Sequence, residues 1–328
     1  MINFNRVLIG LTLWALLAGV ASSAEGISSS AAKVRTLTVT VLSTMLADGD
    51  ELGEWGFAAL VEADGRRILF DTGAKSDVVL KNVQTMELNL GDVPDVILSH
   101  WHGDHIGGLM TLRRDVMAKH PTALARAHVG AGFFDSRVGW PPGVELNSMI
   151  LTKPEYEATG GKFVVHAKPI ELQPGVWLTG PVKRKHPERN WSGRAQVKTA
   201  TGLREDTIND DMALVVNTEQ GLVIVTGCGH AGVINIIEQA RTMVRPARVH
   251  ALIGGIHLFS AKEETLTWTV GKLREFGVDN FLGCHCTGIE TVYRFRQDLG
   301  LDRAHCVVGA VGAGFELGHG LNPREIAK

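Results

Sequence analysis

The chain has no excess of either charge. Its 328 residues carry 33 lysines and arginines against 35 aspartates and glutamates, a formal net charge of −2. That balance excludes the basic field of a nucleic-acid binder and the polybasic stretch of a membrane-surface protein. Cysteine is scarce, with four residues, Cys228, Cys284, Cys286 and Cys306, all in the C-terminal half. A domain this large needs no disulfide scaffold, and the default reading is four small buried hydrophobes. Cys284 and Cys286 flank His285 and would point the same way in an extended segment. Beyond the N-terminus no apolar run is long enough to span a bilayer. There is no evident internal repeat and no long low-complexity tract. What is present is ordinary globular composition, 45% hydrophobic and 21% charged, with ample length for a core.

The first residues read as an export signal. Met1 to Arg6 carries one positive charge, and Val7 to Val20 is apolar but too short for a comfortable membrane span. Ala21-Ser22-Ser23-Ala24 then supplies small residues of the kind signal peptidase reads. The expected organisation is a signal peptide over 1–24, a small-residue linker over 25–34 and one domain over 35–328. The expected location is the periplasm or outside the cell.

Within the domain, strand-like runs cover Leu37–Leu42, Phe57–Val61 and Arg67–Phe70, the last stopping at the turn Asp71-Thr72-Gly73. A helix is expected over Ser76–Met86 with Ser76 as N-cap, then strand Val96–Leu98 and a helix over Ile106–Lys119. Residues 130–162 read as irregular and 181–209 as a polar surface loop rich in lysine and arginine. From Met212 onward, strands and helices alternate to Val308. A strand-rich first half and an alternating second half suit an α/β domain of two packed sheets with helices outside.

The most informative stretch is Ser99-His100-Trp101-His102-Gly103-Asp104-His105, between a buried strand and a helix. Three imidazoles and one carboxylate within six residues can aim at one point, and these are donors suited to zinc, with iron or manganese as alternatives. Two metals need about seven or eight protein ligands, so further donors are required. Three apolar runs end in a glycine followed closely by a histidine: Val225-Thr226-Gly227-Cys228-Gly229-His230, Ile253-Gly254-Gly255-Ile256-His257, and Leu282-Gly283-Cys284-His285.

His100-Trp101-His102-Gly103-Asp104-His105 resembles the His-x-His-x-Asp-His motif of the metallo-β-lactamase superfamily, and Phe70-Asp71-Thr72-Gly73 resembles its upstream turn. Thr226 to Gly232, Gly254 to Leu258 and His285 to Gly288 resemble the branch named after the dihydropterin ribofuranosyl-aminobenzene-phosphate synthase of methanopterin biosynthesis. The resemblance runs from about Leu37 to Gly309. It implies a four-layer αββα sandwich with two divalent metal ions in the cleft between the sheets. His100, His102 and His230 would hold the first ion; Asp104, His105 and His285 would hold the second. Most superfamily members place a bridging aspartate after the glycine equivalent to Gly227, where this chain has Cys228. The expectation here is that His230, not Cys228, is the essential ligand from this strand end.

A water shared between two metals loses its proton near neutral pH and becomes a nucleophile. Asp104 would orient it and could pass a proton to the leaving group. Asp71 would accept a ligand histidine's N–H and fix its tautomer. His257 is a candidate substrate or supporting group, and the loop bearing Lys183, Arg184 and Arg189 a candidate grip for an anionic group. The leading expectation is an exported metal-dependent hydrolase of a small ester, lactone or phosphoester. A transferase of the synthase type and a non-catalytic metal-binding sensor are the alternatives. Neither nucleic acid nor a lasting membrane span is expected. The exported form is predicted to begin near Glu25, which N-terminal sequencing checks; an intact Met1 on soluble cytoplasmic protein would refute it.

Overall fold

The structure, a computed structural model, describes residues 1–2 and 32–328. The expected signal peptide and most of the expected linker therefore lie outside the described residues, and the fold is the unit 31–328. The linker ends earlier than expected. Val34 is buried, its N–H donates to the carbonyl of Asn217 at 2.8 Å, and it bridges to Thr218.

The chain opens with β1 (Leu37–Ser43), β2 (Ala58–Ala63), β3 (Arg66–Phe70), α1 (Val78–Thr85), β4 (Asp95–Ile97), α2 (Gly103–Ile106) and α3 (Leu109–Met117). It continues through β5 (Arg126–Gly130), β6 (Arg137–Val138), α4 (Met149–Ala158), β7 (Lys162–His166), β8 (Ile170–Gln173), β9 (Val176–Leu178), β10 (Gln196–Thr199) and β11 (Gly202–Glu205). The second half adds β12 (Ala213–Thr218), β13 (Gly221–Thr226), α5 (Val233–Met243), β14 (Val249–Gly254), α6 (Glu263–Phe276), β15 (Asn280–Gly283), α7 (Ile289–Leu299), β16 (Cys306–Val308), β17 (Gly314–Glu316) and β18 (Gly320–Asn322).

Two large sheets result, in the orders β18-β17-β1-β2-β3-β4-β5-β7 and β16-β15-β14-β13-β12-β9-β8. Alternation decides which side chains fill which layer. Val39, Val41, Ala59, Val61 and Phe70 from the first sheet meet Leu214, Val216, Val223, Val225 and Ile253 from the second in a core between the sheets. Leu60, Leu69 and Val96 face the opposite way, onto α1, α3 and α4. Ile224, Leu252 and Phe281 likewise face α5, α6 and α7. These three cores make the four αββα layers that the sequence implied. The parallel strands β13, β14 and β15 are buried on both faces, which is why they read as continuous apolar runs.

Four local expectations are corrected. The helix expected from Ser76 starts at Val78, with Asp77 at its N-terminus accepting the amide of Lys81 through its carbonyl. The single helix expected over Ile106–Lys119 is broken at Gly107-Gly108. There the chain presses on the Thr72–Ala74 turn, and a Cβ at Gly107 would lie 2.0 Å from the Ala74 carbonyl oxygen. The segment read as irregular contains α4, hidden by its internal Pro154 and by apolar residues that form no regular stripe, with Met149 and Tyr156 buried. The polar loop 181–209 carries the exposed hairpin of β10 and β11, which joins β6 in a small third sheet.

That small sheet delivers a buried cation behind the histidine turn. Arg137 on β6 donates to Asp206 and Asp210, each at 2.9 Å, and its guanidinium lies 4.8 Å from the ring centre of Trp101. Asp210 also accepts the backbone N–H of Trp101 at 2.9 Å. Burial pushes Asp210 up to about 7 despite Arg137. Removing one member of a buried ion cluster typically costs about 3–5 kcal/mol. Arg137→Met is predicted to fall at the lower end, about 3 kcal/mol, because Asp210 can take up a proton. The raised folded-state pKa means that stability is lost as pH rises, so the deficit should grow from pH 6 to pH 8. Urea unfolding at the two pH values measures both; an unchanged midpoint would exclude the structural role.

Candidate metal centre

The centre forms where β3, β4, β13 and β15 end. Asp71 follows β3 with φ +57°, a left-handed turn that swings its carboxylate under the histidine segment. One oxygen accepts the Ser99 N–H at 2.7 Å; the other accepts the Ser99 hydroxyl at 2.7 Å and His105 Nδ1–H at 2.7 Å. The neighbouring strand end has to be glycine. A Cβ at Gly227 would lie 2.1 Å from Ser99 Oγ and 2.6 Å from an Asp71 carboxylate oxygen.

These outer contacts fix the inner nitrogens. The Ser99 hydroxyl spends its proton on Asp71, so at 2.9 Å from His100 Nδ1 its oxygen is left to accept. His100 then carries its proton on Nδ1 and turns an Nε2 lone pair inward. His230 Nδ1 donates to the carbonyl of Asn190, which likewise leaves an Nε2 lone pair. His100 Nε2 and His230 Nε2 lie 3.0 and 3.2 Å from His102 Nδ1. Three imidazole nitrogens thus converge on one point. Burial holds His100 and His230 well below the usual imidazole range and lowers His102 to about 4, so all three are neutral donors at physiological pH.

The second cluster gathers Asp104, His105 and His285. His285, after β15, is fully buried and has φ +45°. Its Nε2 lies 3.2 Å from Asp104 Oδ2, yet neither ring nitrogen has a hydrogen-bond partner. Orphaned nitrogens in a buried site are costly unless a cation takes the lone pair. Burial alone would lower His105, but Asp71 and Asp104 outweigh it and raise it to about 9. Burial alone would raise Asp104, but His105 and His285 hold it below the usual carboxylate range. Negative potential and converging lone pairs together make a receptor for cations, so the residues present fit divalent metal.

All six residues expected as ligands therefore come together. Donor atoms of Asp104, His105, Cys228 and His285 lie within 4.8 Å of one another, as do those of His100, Cys228 and His230, and those of His100, His102 and Asp104. Asp71 holds the hydrogen-bonding position expected of it. His257 is adjacent, its ring centre 4.6 Å from that of His230, with a buried Nδ1 lacking a partner.

Several contributors were missed. Ser99 and the Asn190 carbonyl carry no signal in the sequence. Trp55 sets its ring edge against His285 at 5.0 Å and against Phe259 at 5.5 Å. Cys286 does not share a direction with Cys284, because His285–Thr287 is a 3-10 turn rather than extended. Cys284 packs into the inter-sheet core, while Cys286 Sγ lies 3.2 Å from Cys228 Sγ. That separation is well beyond the roughly 2.05 Å of a disulfide, and all four cysteines are free thiols. The basic loop also divides. Arg184 is tied to Asn209 and the Thr207 carbonyl. Arg189 reaches the cleft beside the centre, whereas Lys183 does not line it.

The family described as the Metallo-beta-lactamase superfamily matches residues 56–195, and the fold is the metallo-β-lactamase fold. The chain is 29% identical over 248 residues to 7,8-dihydropterin-6-methyl-4-(beta-D-ribofuranosyl)-aminobenzene-5'-phosphate synthase of Methanocaldococcus jannaschii, covering 74% of this chain and 83% of that one. A solved structure described as a metal-dependent hydrolase of the beta-lactamase superfamily superposes with a TM-score of 0.69 at 27% identity, covering 85% and 98% of the two chains. Zinc-bound PqqB of Methylobacterium extorquens shares the fold at a TM-score of 0.51 and 14% identity, over 85% and 99%. The metallo-β-lactamase fold accounts for the placement of every donor at the C-terminal ends of strands.

Two substitutions separate direct from supporting roles. His102→Ala is predicted to lose most of the divalent metal bound, since it removes a donor from the point where three imidazoles meet. Asp71→Asn should retain divalent metal but bind it about 10–100-fold more weakly, as expected when a partner that orients a ligand is impaired. Elemental analysis and competition with a chromophoric chelator measure these; equal affinity in all three proteins would refute the assignment.

Proposed function

We propose that the protein is an exported, metal-dependent hydrolase of a small anionic ester, lactone or phosphoester. The observation that carries this reading is the convergence of neutral imidazoles and an ionised carboxylate beside an open cleft. His100, His102 and His230 would hold one divalent ion and Asp104, His105 and His285 another, with zinc favoured by the imidazole-rich set. When bound, such ions polarise a carbonyl or phosphoryl oxygen and acidify water.

The chain's own residues do the rest. Asp104 is a partly exposed carboxylate that can accept a proton from water and return it to a leaving oxygen. His257 lines both the cleft and the small inner pocket bounded by His102 and His230, so its ring can meet a substrate on its way in. The cleft holds about 780 Å³. Trp191, Trp268 and Phe259 give it flat apolar walls that suit a ring or planar group, and Arg189, Arg194 and Lys262 supply positive charge. Glu188, also in the lining, accepts the Ile234 and Asn235 amides of α5.

A second reading, group transfer of the synthase type, draws on the relative from Methanocaldococcus jannaschii. Turnover in oxygen-18 water distinguishes the two: hydrolysis puts label into the product, and transfer between two substrates does not. A panel of lactones, phosphodiesters, phosphomonoesters and β-lactams identifies the bond. Arg194→Ala and Lys262→Ala should each raise KM for the anionic substrate about fivefold with little change in kcat, as expected for binding shared by ground and transition states. Unlabelled product, or metal-independent turnover, would overturn the hydrolase reading.

A further inference from the structure

The cleft shares a wall with a smaller recess that lies against the three-histidine cluster. Trp191 and His257 line both, while His102, His230, Ala195 and Ile208 line the recess and not the cleft. The recess holds about 80 Å³, against about 780 Å³ for the cleft. At about 30 Å³ per water, the recess has room for a group of about three non-hydrogen atoms. A substrate that reaches both spaces therefore has a large part and a compact part.

Ile208 closes one side of the recess in a strained conformation. It is 3% exposed and has φ +55°. β-Branched side chains are rare in that left-handed region, and among the described residues Ile208 is the only one there. Its surroundings hold it in place. Asp206 accepts the Ile208 N–H at 2.9 Å and is itself bound by Arg137 at 2.9 Å. The Ile208 carbonyl accepts from Arg184 at 3.4 Å and from the Asp211 N–H at 3.3 Å. Strain of this kind collects where a site needs a side chain in a set place. Asp71, His257 and His285, three of the other non-glycine residues with positive φ, also stand at the centre.

The chemistry of the walls selects what enters. Ile208, Ala195 and the ring of Trp191 are apolar, and the one carboxylate in the lining, Asp206, has each oxygen already bonded, to Ile208 and to Arg137. A negative phosphoryl group would be repelled by that carboxylate, whereas an uncharged acyl group would not. We propose that Ile208 is a specificity-determining residue, which limits the recess to a short acyl group while the larger, ring-bearing part of the same ester lies in the cleft. An acetyl group fits the recess; a hexanoyl chain does not. This narrows the hydrolase reading above and rests on it.

The test uses the full chain loaded with zinc. The acetate and hexanoate esters of 4-nitrophenol report cleavage. The matching 4-nitroanilides, whose amide bond is far harder to break, report binding by equilibrium dialysis. The wild type should cleave the acetate with a kcat/KM about tenfold or more above that for the hexanoate, and bind the acetanilide about fivefold or more tightly than the hexananilide, since each misfitting methylene is discriminated against. Ile208→Gly suits the backbone at φ +55° and opens the recess, so both ratios should fall to within about twofold. Ile208→Asn also tolerates this conformation but keeps the wall filled, and should preserve both ratios. Ala195→Leu narrows the recess from another wall and should weaken acetanilide binding about fivefold. A ratio between two ligands of one protein does not depend on how much of a variant folds. Equal binding of the two anilides by the wild type, or ratios that Ile208→Gly leaves unmoved, overturns the assignment of Ile208. Anilide discrimination without ester cleavage sinks the hydrolase reading and leaves the size limit set by Ile208 standing. Failure to bind either anilide overturns the recess and the cleft together as a substrate site.

Discussion

The carboxylate of Asp71 organises the site. It is fully buried, spends its acceptor capacity on Ser99 and His105, and sits against Gly227 of the second sheet. Through the Ser99 hydroxyl it also sets the tautomer of His100. One residue outside the donor clusters thus decides where the lone pairs of two imidazoles point. A buried charge of this kind is tolerable only when every acceptor position is used and positive potential lies nearby. The hydrogen bonds beneath the histidines therefore aim their lone pairs at the place where a cation would sit.

The fold supplies what this arrangement demands. Parallel strands end together, so β3, β4, β13 and β15 bring residues from distant parts of the chain to one edge of the sandwich. The three cores hold that edge rigid from below. Above it, the segment between β9 and β12 folds over the centre, contributing the Asn190 carbonyl to His230 and Trp191 to the cleft. The rigid layer fixes lone-pair geometry, and the covering segment shapes what can approach. Differences in substrate among proteins of this fold would be expected to arise in such a segment rather than in the strands.

Likeness to known proteins sets the level at which function can be stated. The metallo-β-lactamase fold and its four layers follow from the geometry and from the likeness to a solved structure of that fold. A synthase and a metal-dependent hydrolase stand at 29% and 27% identity, and the donors common to such a fold do not choose between them. What distinguishes this chain is its own chemistry: a thiol at the end of β13 and an aromatic cleft of mixed charge beside the centre.

Much of this was legible in sequence, for a physical reason. The six histidine and aspartate donors stand in short motifs at strand ends, and strands buried on both faces announce themselves as apolar runs. Local order therefore encoded the fold class and the ligand candidates. The sequence could not show which nitrogen of each histidine faces inward, because that depends on Ser99, Asp71 and a carbonyl far away in the chain. Nor could it separate Cys228 and Cys286 from Cys284. The difference lies in a 3-10 turn after β15 and in the approach of two strands separated by a helix, a strand and another helix. Whether the basic residues of 181–209 reach the site was likewise settled by packing, which draws Arg184 into local hydrogen bonds, pairs Arg189 with Glu205 at the cleft wall and leaves Arg194 in the cleft lining. Short-range pattern determined which groups are available; only the tertiary structure decided which of them meet, because meeting depends on contacts between segments that carry no information about one another.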